Sequence, residues 1–300
     1  MEDLMRQLGP IAALSLIAVA LFPTSVEAET DALAVLRGAT VGVGRPIIDG
    51  TKLVFAPIGS AVLVKASAKR LCIVTAKHVF FNPSQGYAPD KLLIRLPKDA
   101  ISEDEDDGVE IELITNNKNN WKSLDDGSDL AIIDAPNLSK YFRRYAISVN
   151  QFGNEADIFQ GATVVIIGYP GLLSTYYAKT PILRGGLIAW VDPDGQYTKP
   201  FLVDANLFPG NSGGPVFRSK NGMEADGSIG LGGGYSLIGI VSQGPRQFAP
   251  VRTGESPVVR QNPEGGPPVP ALAEVLAVGG IGAIEPISKI KNLVELYCSS

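Results

Sequence analysis

The chain has 300 residues, of which 45% are hydrophobic and 19% charged, enough to bury a substantial core as one large domain or two small ones. Its formal net charge is −5 and no Lys/Arg run exceeds two, so the electrostatic footprint of a nucleic-acid binder is missing. One histidine and two cysteines exclude a histidine-based zinc centre, a zinc knuckle and a disulfide-dense scaffold, and nothing in the sequence calls for a metal or a cofactor.

Residues 11–22 form an apolar run broken only by Ser15, followed by Pro23 and Val26-Glu27-Ala28. The run is short for a bilayer span, and the small residues at 26 and 28 suit a signal peptidase. Residues 1–28 therefore read as an export signal, and 29–300 as the mature chain. An uncleaved anchor is the other reading, and Glu2 and Asp3 stand where such leaders are normally basic. Without the leader the net charge is −3, no membrane contact is expected, and the destination is the periplasm or the extracellular medium.

The 33 glycines and 22 prolines predict many short elements joined by tight turns, an all-β pattern. Strands are expected at 60–64, 71–75, 92–96, 109–114 and 130–133, and a second set at 163–168, 181–191, 201–205, 215–217, 236–242 and 281–285. Between the last two, 244–270 holds seven prolines and should be a long surface loop. The acidic run 103–107 reads as a solvated turn, with a calcium loop as the alternative. A helix is expected at 287–297, after Pro286. Cys72 and Cys298 either pair or remain buried thiols; the sequence leaves both open.

The chemistry concentrates in three strings. Thr75-Ala76-Lys77-His78-Val79 sets the one imidazole at a strand end, where a sheet can aim it. Gly210-Asn211-Ser212-Gly213-Gly214-Pro215 puts a serine in a glycine-rich bend, where the amides of Gly210 and Ser212 can point at one oxygen. A hydroxyl needs a base, imidazole serves near neutral pH, and imidazole needs an orienting carboxylate, for which Asp129 in Ser128-Asp129-Leu130-Ala131 is placed at the start of an apolar strand. The serine string also fits the nucleophile elbow of α/β-hydrolases, but there the histidine follows the serine. The subtilisin order would need Asp49, whose flanks read as an ordinary turn. The order His78, Asp129, Ser212 remains.

These strings, with Ile167-Gly168-Tyr169-Pro170-Gly171 and Gly239-Ile240-Val241-Ser242, resemble the chymotrypsin-clan serine peptidases, above all bacterial trypsin-like and HtrA-type protease domains, over residues 37–297. The resemblance implies two six-stranded antiparallel β-barrels, about 37–145 and 155–285, with a short C-terminal helix and the triad in the cleft between the barrels. It implies a protein or peptide substrate whose backbone pairs with Ser242, Gln243 and Gly244, and it places Asn206 at the base of the S1 pocket, where an uncharged residue favours an uncharged P1. Asn211 stands where activatable members carry an aspartate, so activation through a new N-terminus is not expected. No PDZ domain is expected after the helix, and the oligomeric state stays open. A catalytically silent binding module on the same barrels and an esterase are the competing readings.

Overall fold

In this computed structural model the described residues are 25–49, 52–67, 70–101, 108–142, 145–171, 177–243, 247–250, 252–253, 256–257, 259–260, 268–270, 272–275 and 280–298. They open with a helix that the sequence reading did not foresee, α1 (Ser25–Gly38), whose first four residues are the last four of the expected leader. Residues 1–24, which hold the rest of that leader, lie outside the described part, as does the acidic run 103–107.

The first sheet is built from β1 (Thr40–Asp49), β2 (Lys52–Lys65), β3 (Leu71–Thr75), β4 (Lys91–Arg95) and β5 (Gly108–Glu112), with the short helix α2 (Lys77–Phe80) after β3. A small hairpin follows, β6 (Ile114–Thr115) and β7 (Lys118–Asn119), turned by Asn116 and Asn117 at φ 51° and 59°, a conformation that asparagine tolerates. Then come β8 (Trp121–Lys122), β9 (Ala131–Asp134), a single-turn helix α3 (Ser139–Phe142) and β10 (Ile147–Ser148). The strand order is β5-β4-β1-β2-β3-β9-β8, with β10 parallel to β2. The expected first barrel of six strands is therefore a curled sheet of eight, because the two-residue strands β8 and β10 extend it. β1 was not predicted: Gly42, Gly44 and Pro46 interrupt its alternation, and the long antiparallel ladder with β2 supplies what the local pattern lacks.

The second unit closes as expected. β11 (Thr163–Gly168), β12 (Ile182–Trp190), β13 (Phe201–Asp204), β14 (Pro215–Met223) and β15 (Ile229–Gln243) are joined by the last strand of the chain into a six-stranded barrel. Before that strand, the proline-rich stretch holds three short antiparallel pairs rather than plain loop. β16 (Gln247–Pro250) and β21 (Leu272–Val275) enclose β17 (Arg252–Thr253) with β18 (Ser256–Pro257), and β19 (Val259–Arg260) with β20 (Val269–Pro270). The closing strand, β22 (Ile281–Pro286), runs directly into helix α4 (Ile287–Cys298). The fold is all-β and chymotrypsin-like, with a short C-terminal helix.

Strand parity explains how the halves join. Ala61, Leu63, Ile73, Ala131 and Ile133 point into the first core. Their neighbours Val62, Val64, Cys72, Val74, Leu130 and Ile132 point the other way, into a second core shared with Val164, Ile166, Val216, Ile240 and α4. β2, β3 and β9 are apolar on both faces because both faces are buried. Ile287, Ile290, Leu293, Val294 and Cys298 form the buried stripe of α4, so Cys72 and Cys298 meet on the same side and form a disulfide with Cα atoms 6.4 Å apart. Cys298→Ser is expected to lower unfolding stability by about 2 to 5 kcal/mol. Urea midpoints measured with and without reductant check this, and wild-type protein under reductant should fall to the level of the variant.

Candidate active site

β3 and β9 are antiparallel neighbours with Thr75 opposite Ala131. His78 lies three residues beyond the end of one strand and Asp129 two residues before the start of the other, so the ladder brings them together. The Lys77 N–H donates to the Asp129 carbonyl at 3.1 Å and the His78 N–H to Asp129 Oδ1 at 3.0 Å, and His78 Nδ1 lies 2.7 Å from Asp129 Oδ2. A carboxylate only accepts, so Nδ1 carries the proton and the neutral ring presents its lone pair at Nε2. Ser242, near the end of β15, donates its hydroxyl to the same Oδ2 at 2.7 Å. Its carbonyl accepts the Ser212 hydroxyl at 3.3 Å.

Behind this group, Glu285 of β22 is 4% exposed, and its Oε1 accepts the backbone N–H of Asp129 at 2.9 Å. The only sequence signal for it is an acid inside an otherwise apolar strand. Burial pushes the Glu285 carboxyl above its usual range; the Asp129 N–H opposes this, the charges of Asp129 and Asp126 reinforce it, and Lys289 works against it. Lys289, in the first turn of α4, pairs with Asp126. Burial would also raise Asp126, but hydrogen bonds from Lys289 and Ser128 prevail and hold it at about 2.

The two acids therefore act in opposite pH ranges. Glu285, raised in the folded state, contributes stability below the ordinary glutamate pKa of about 4.3 and loses it as pH rises through its folded value. Asp126, lowered, contributes above about 3.9 and loses its share as pH falls toward 2. Glu285→Gln keeps an acceptor for the Asp129 N–H but cannot ionise, so this variant should gain stability relative to wild type as pH rises from 4 toward 7. Urea midpoints across that range test it, and parallel curves would contradict the assignment.

The serine bend can be followed peptide by peptide. The N–H groups of Asn211, Gly213 and Gly214 donate to the carbonyls of Phe208, Val241 and Asn211, at 3.0, 2.7 and 2.9 Å. The Pro209 carbonyl accepts from the Gly171 N–H at 2.8 Å. In a trans peptide C=O and N–H point in opposite directions, so this bond turns the Gly210 N–H away from Gly171. The Asn211 carbonyl, held by Gly214, orients the Ser212 N–H in the same way. Those two N–H groups have no acceptor among the described residues. Gly210 has φ +95°, and a Cβ there would sit 2.4 Å from the Tyr169 carbonyl oxygen, so the bend requires glycine.

Of the sequence-predicted residues, His78, Asp129, Ser242 and Ser212 come together, and Gly210 lies in the serine bend. Asn206 is exposed, while Ala205 and Leu207 on either side turn inward at 6% and 3%. The alternation of β13 carries on past its last residue and puts Asn206 outside. Gln243 ends β15, and Gly244 lies outside the described residues.

A family model described as trypsin-like peptidase domain matches residues 59–223, more than half of the chain, from β2 to the end of β14. The chain belongs to the trypsin-like peptidase family. Membership implies protein or peptide substrates. The peptidase matches no curated protein. Among solved structures it is similar to the serine endoprotease from Yersinia pestis, at 20% identity and a TM-score of 0.46, over 92% of this chain and 67% of that one.

Proposed function

We propose that the peptidase is an exported serine endopeptidase in which Ser212 attacks, His78 moves the proton and Asp129 fixes the imidazole. The observation that carries this reading is the 2.7 Å contact between His78 Nδ1 and Asp129 Oδ2, which leaves the lone pair of a base on Nε2. Ser212 Oγ leaves the Ser242 carbonyl by rotation about its Cα–Cβ bond, gives its proton to Nε2 and bonds to the scissile carbonyl carbon. The resulting oxyanion is held by the N–H groups of Gly210 and Ser212, which have no other acceptor among the described residues. The tetrahedral adduct then expels the amine, which takes the proton from His78, and water hydrolyses the acyl-enzyme by the same steps. The spent imidazolium is stabilised by Asp129, whose carboxylate is itself oriented by the His78 N–H and the Ser242 hydroxyl.

Two further parts of the reading rest on their own observations. The Cys72–Cys298 disulfide belongs to an oxidising compartment, as an exported protein requires. No helix among the described residues is long and apolar enough to cross a membrane. Residues 205–210 carry no ionisable side chain, in keeping with an uncharged P1 residue. Cleavage of a diverse peptide library by the chain beginning at Glu29, read by mass spectrometry beside its Ser212→Ala variant, tests the whole reading. Cuts after uncharged residues, absent in the variant, support it. Cuts equal in both, or none by folded protein, would overturn it.

A further inference from the structure

We propose that Ser60 is a positioning residue that sets the anion-binding bend of the second barrel from the first. The inference rests on the endopeptidase reading above. Ser60 lies on β2 with the parity of Val62 and Val64, so its side chain points into the junction between the two units, and it is fully buried. Its N–H, its carbonyl and its hydroxyl, as donor and as acceptor, are all engaged, and every bond but the one from Thr75 crosses that junction. Its N–H donates to the Ser212 carbonyl at 2.7 Å, and its own carbonyl accepts the Thr75 hydroxyl at 2.7 Å. Its hydroxyl donates to the Gly210 carbonyl at 2.7 Å and accepts the Tyr169 N–H at 2.8 Å.

The consequence follows from peptide geometry. Of the two N–H groups that would hold an oxyanion, Gly210 belongs to the peptide before the Gly210 carbonyl, and Ser212 to the residue whose carbonyl Ser60 binds. Fixing the Gly210 and Ser212 carbonyls pins the bend at two points on either side of the anion position. Thr75, which holds the Ser60 carbonyl, is the last residue of β3, three before His78, so one hydroxyl and one peptide also tie the bend to the strand that carries the base. The approach is close: a Cβ on Gly213 would lie 2.1 Å from the Ser60 carbonyl oxygen, and one on Gly59 would lie 3.1 Å from the Ser212 carbonyl oxygen. Small residues at 59 and 213 let the first sheet and the serine bend touch backbone to backbone.

The test compares wild type with Ser60→Ala, which deletes the hydroxyl, and Ser60→Cys, which fills the same space with a poor donor and acceptor. Both should lower kcat by about 10- to 100-fold, less than the loss of an oxyanion donor itself, with KM and the pH profile of kcat unchanged. Affinity for a peptide aldehyde should fall in step with kcat, because the aldehyde adduct places an oxyanion in the same position. Backbone amide order parameters from NMR supply a readout that needs no turnover: in both variants residues 210–212 should become more mobile while 77–80 do not. Unchanged order in the bend together with unchanged aldehyde affinity would overturn the role of Ser60. Loss of hydrolysis in wild type, with the bend still loosened in the variants, would instead count against the endopeptidase reading and leave the positioning role standing.

Discussion

Ser212→Ala is expected to lower kcat for peptide hydrolysis by about 10⁶, and His78→Ala by a similar factor, because each removes one half of a single nucleophile–base unit. The double variant should be no slower than either single one. What remains in all three is catalysis by the Gly210 and Ser212 amides and by substrate binding alone. Thermal midpoints should stay near that of wild type, since Ser212 Oγ makes one long hydrogen bond of 3.3 Å, to the Ser242 carbonyl. Kinetics on a substrate taken from the library, with enzyme concentration fixed by absorbance, measure the effect. Additive losses in the double variant would mean that serine and histidine act separately, which the mechanism does not allow.

Asp129→Asn is expected to cost about 10⁴ in kcat at neutral pH. Asp129 Oδ2 accepts from both His78 Nδ1 and the Ser242 hydroxyl, and Oδ1 accepts from the His78 N–H. An amide can offer only one accepting oxygen. Its NH₂ group, turned toward the ring, would hold the tautomer with the proton on Nε2, where the lone pair is needed. The Lys77 N–H to Asp129 carbonyl bond and the Asp129 N–H to Glu285 bond involve only the backbone of residue 129 and survive, so the loss should appear in kcat rather than in stability. Nitrogen chemical shifts of the His78 ring report which nitrogen is protonated and separate a tautomer change from a displaced loop.

His78, Asp129 and Ser212 were legible as candidates because each sits beside a strong local signal. His78 follows β3, Asp129 precedes β9, and the glycines around Ser212 mark a bend that no regular strand could hold. Chain order then removed the α/β-hydrolase alternative, and the turn-like flanks of Asp49 removed the subtilisin one. Two of the strands with both faces buried, the short β3 and β9, were found almost to the residue because their apolar runs are uninterrupted. β1 was missed because its stability comes from a ladder to β2 that no local pattern records, and α1 because the sequence around it reads as the end of a leader. Asn206 was named by resemblance alone, and the alternation that continues past β13 leaves it exposed. The disulfide could not be decided from two cysteines 226 residues apart, since it depends on Cys72 facing the helix side of β3 and on Cys298 ending the buried stripe of α4. Glu285 and Ser60 were invisible for a related reason: a single buried polar residue in an apolar strand is informative only when its partners are known, and here they come from strands far away in the chain.

The central claim is that Ser212 is a nucleophile activated by His78, and covalent capture tests it most directly. A fluorophosphonate probe forms a bond to an activated serine oxygen and expels fluoride, so it requires neither the natural substrate nor a P1 preference. Incubated with the folded chain from Glu29, it should label one serine, mapped by peptide mass spectrometry to the fragment containing Asn211-Ser212-Gly213, and His78→Ala should abolish the label. Labelling at another serine, or none on protein whose fold and disulfide are intact, would contradict the account.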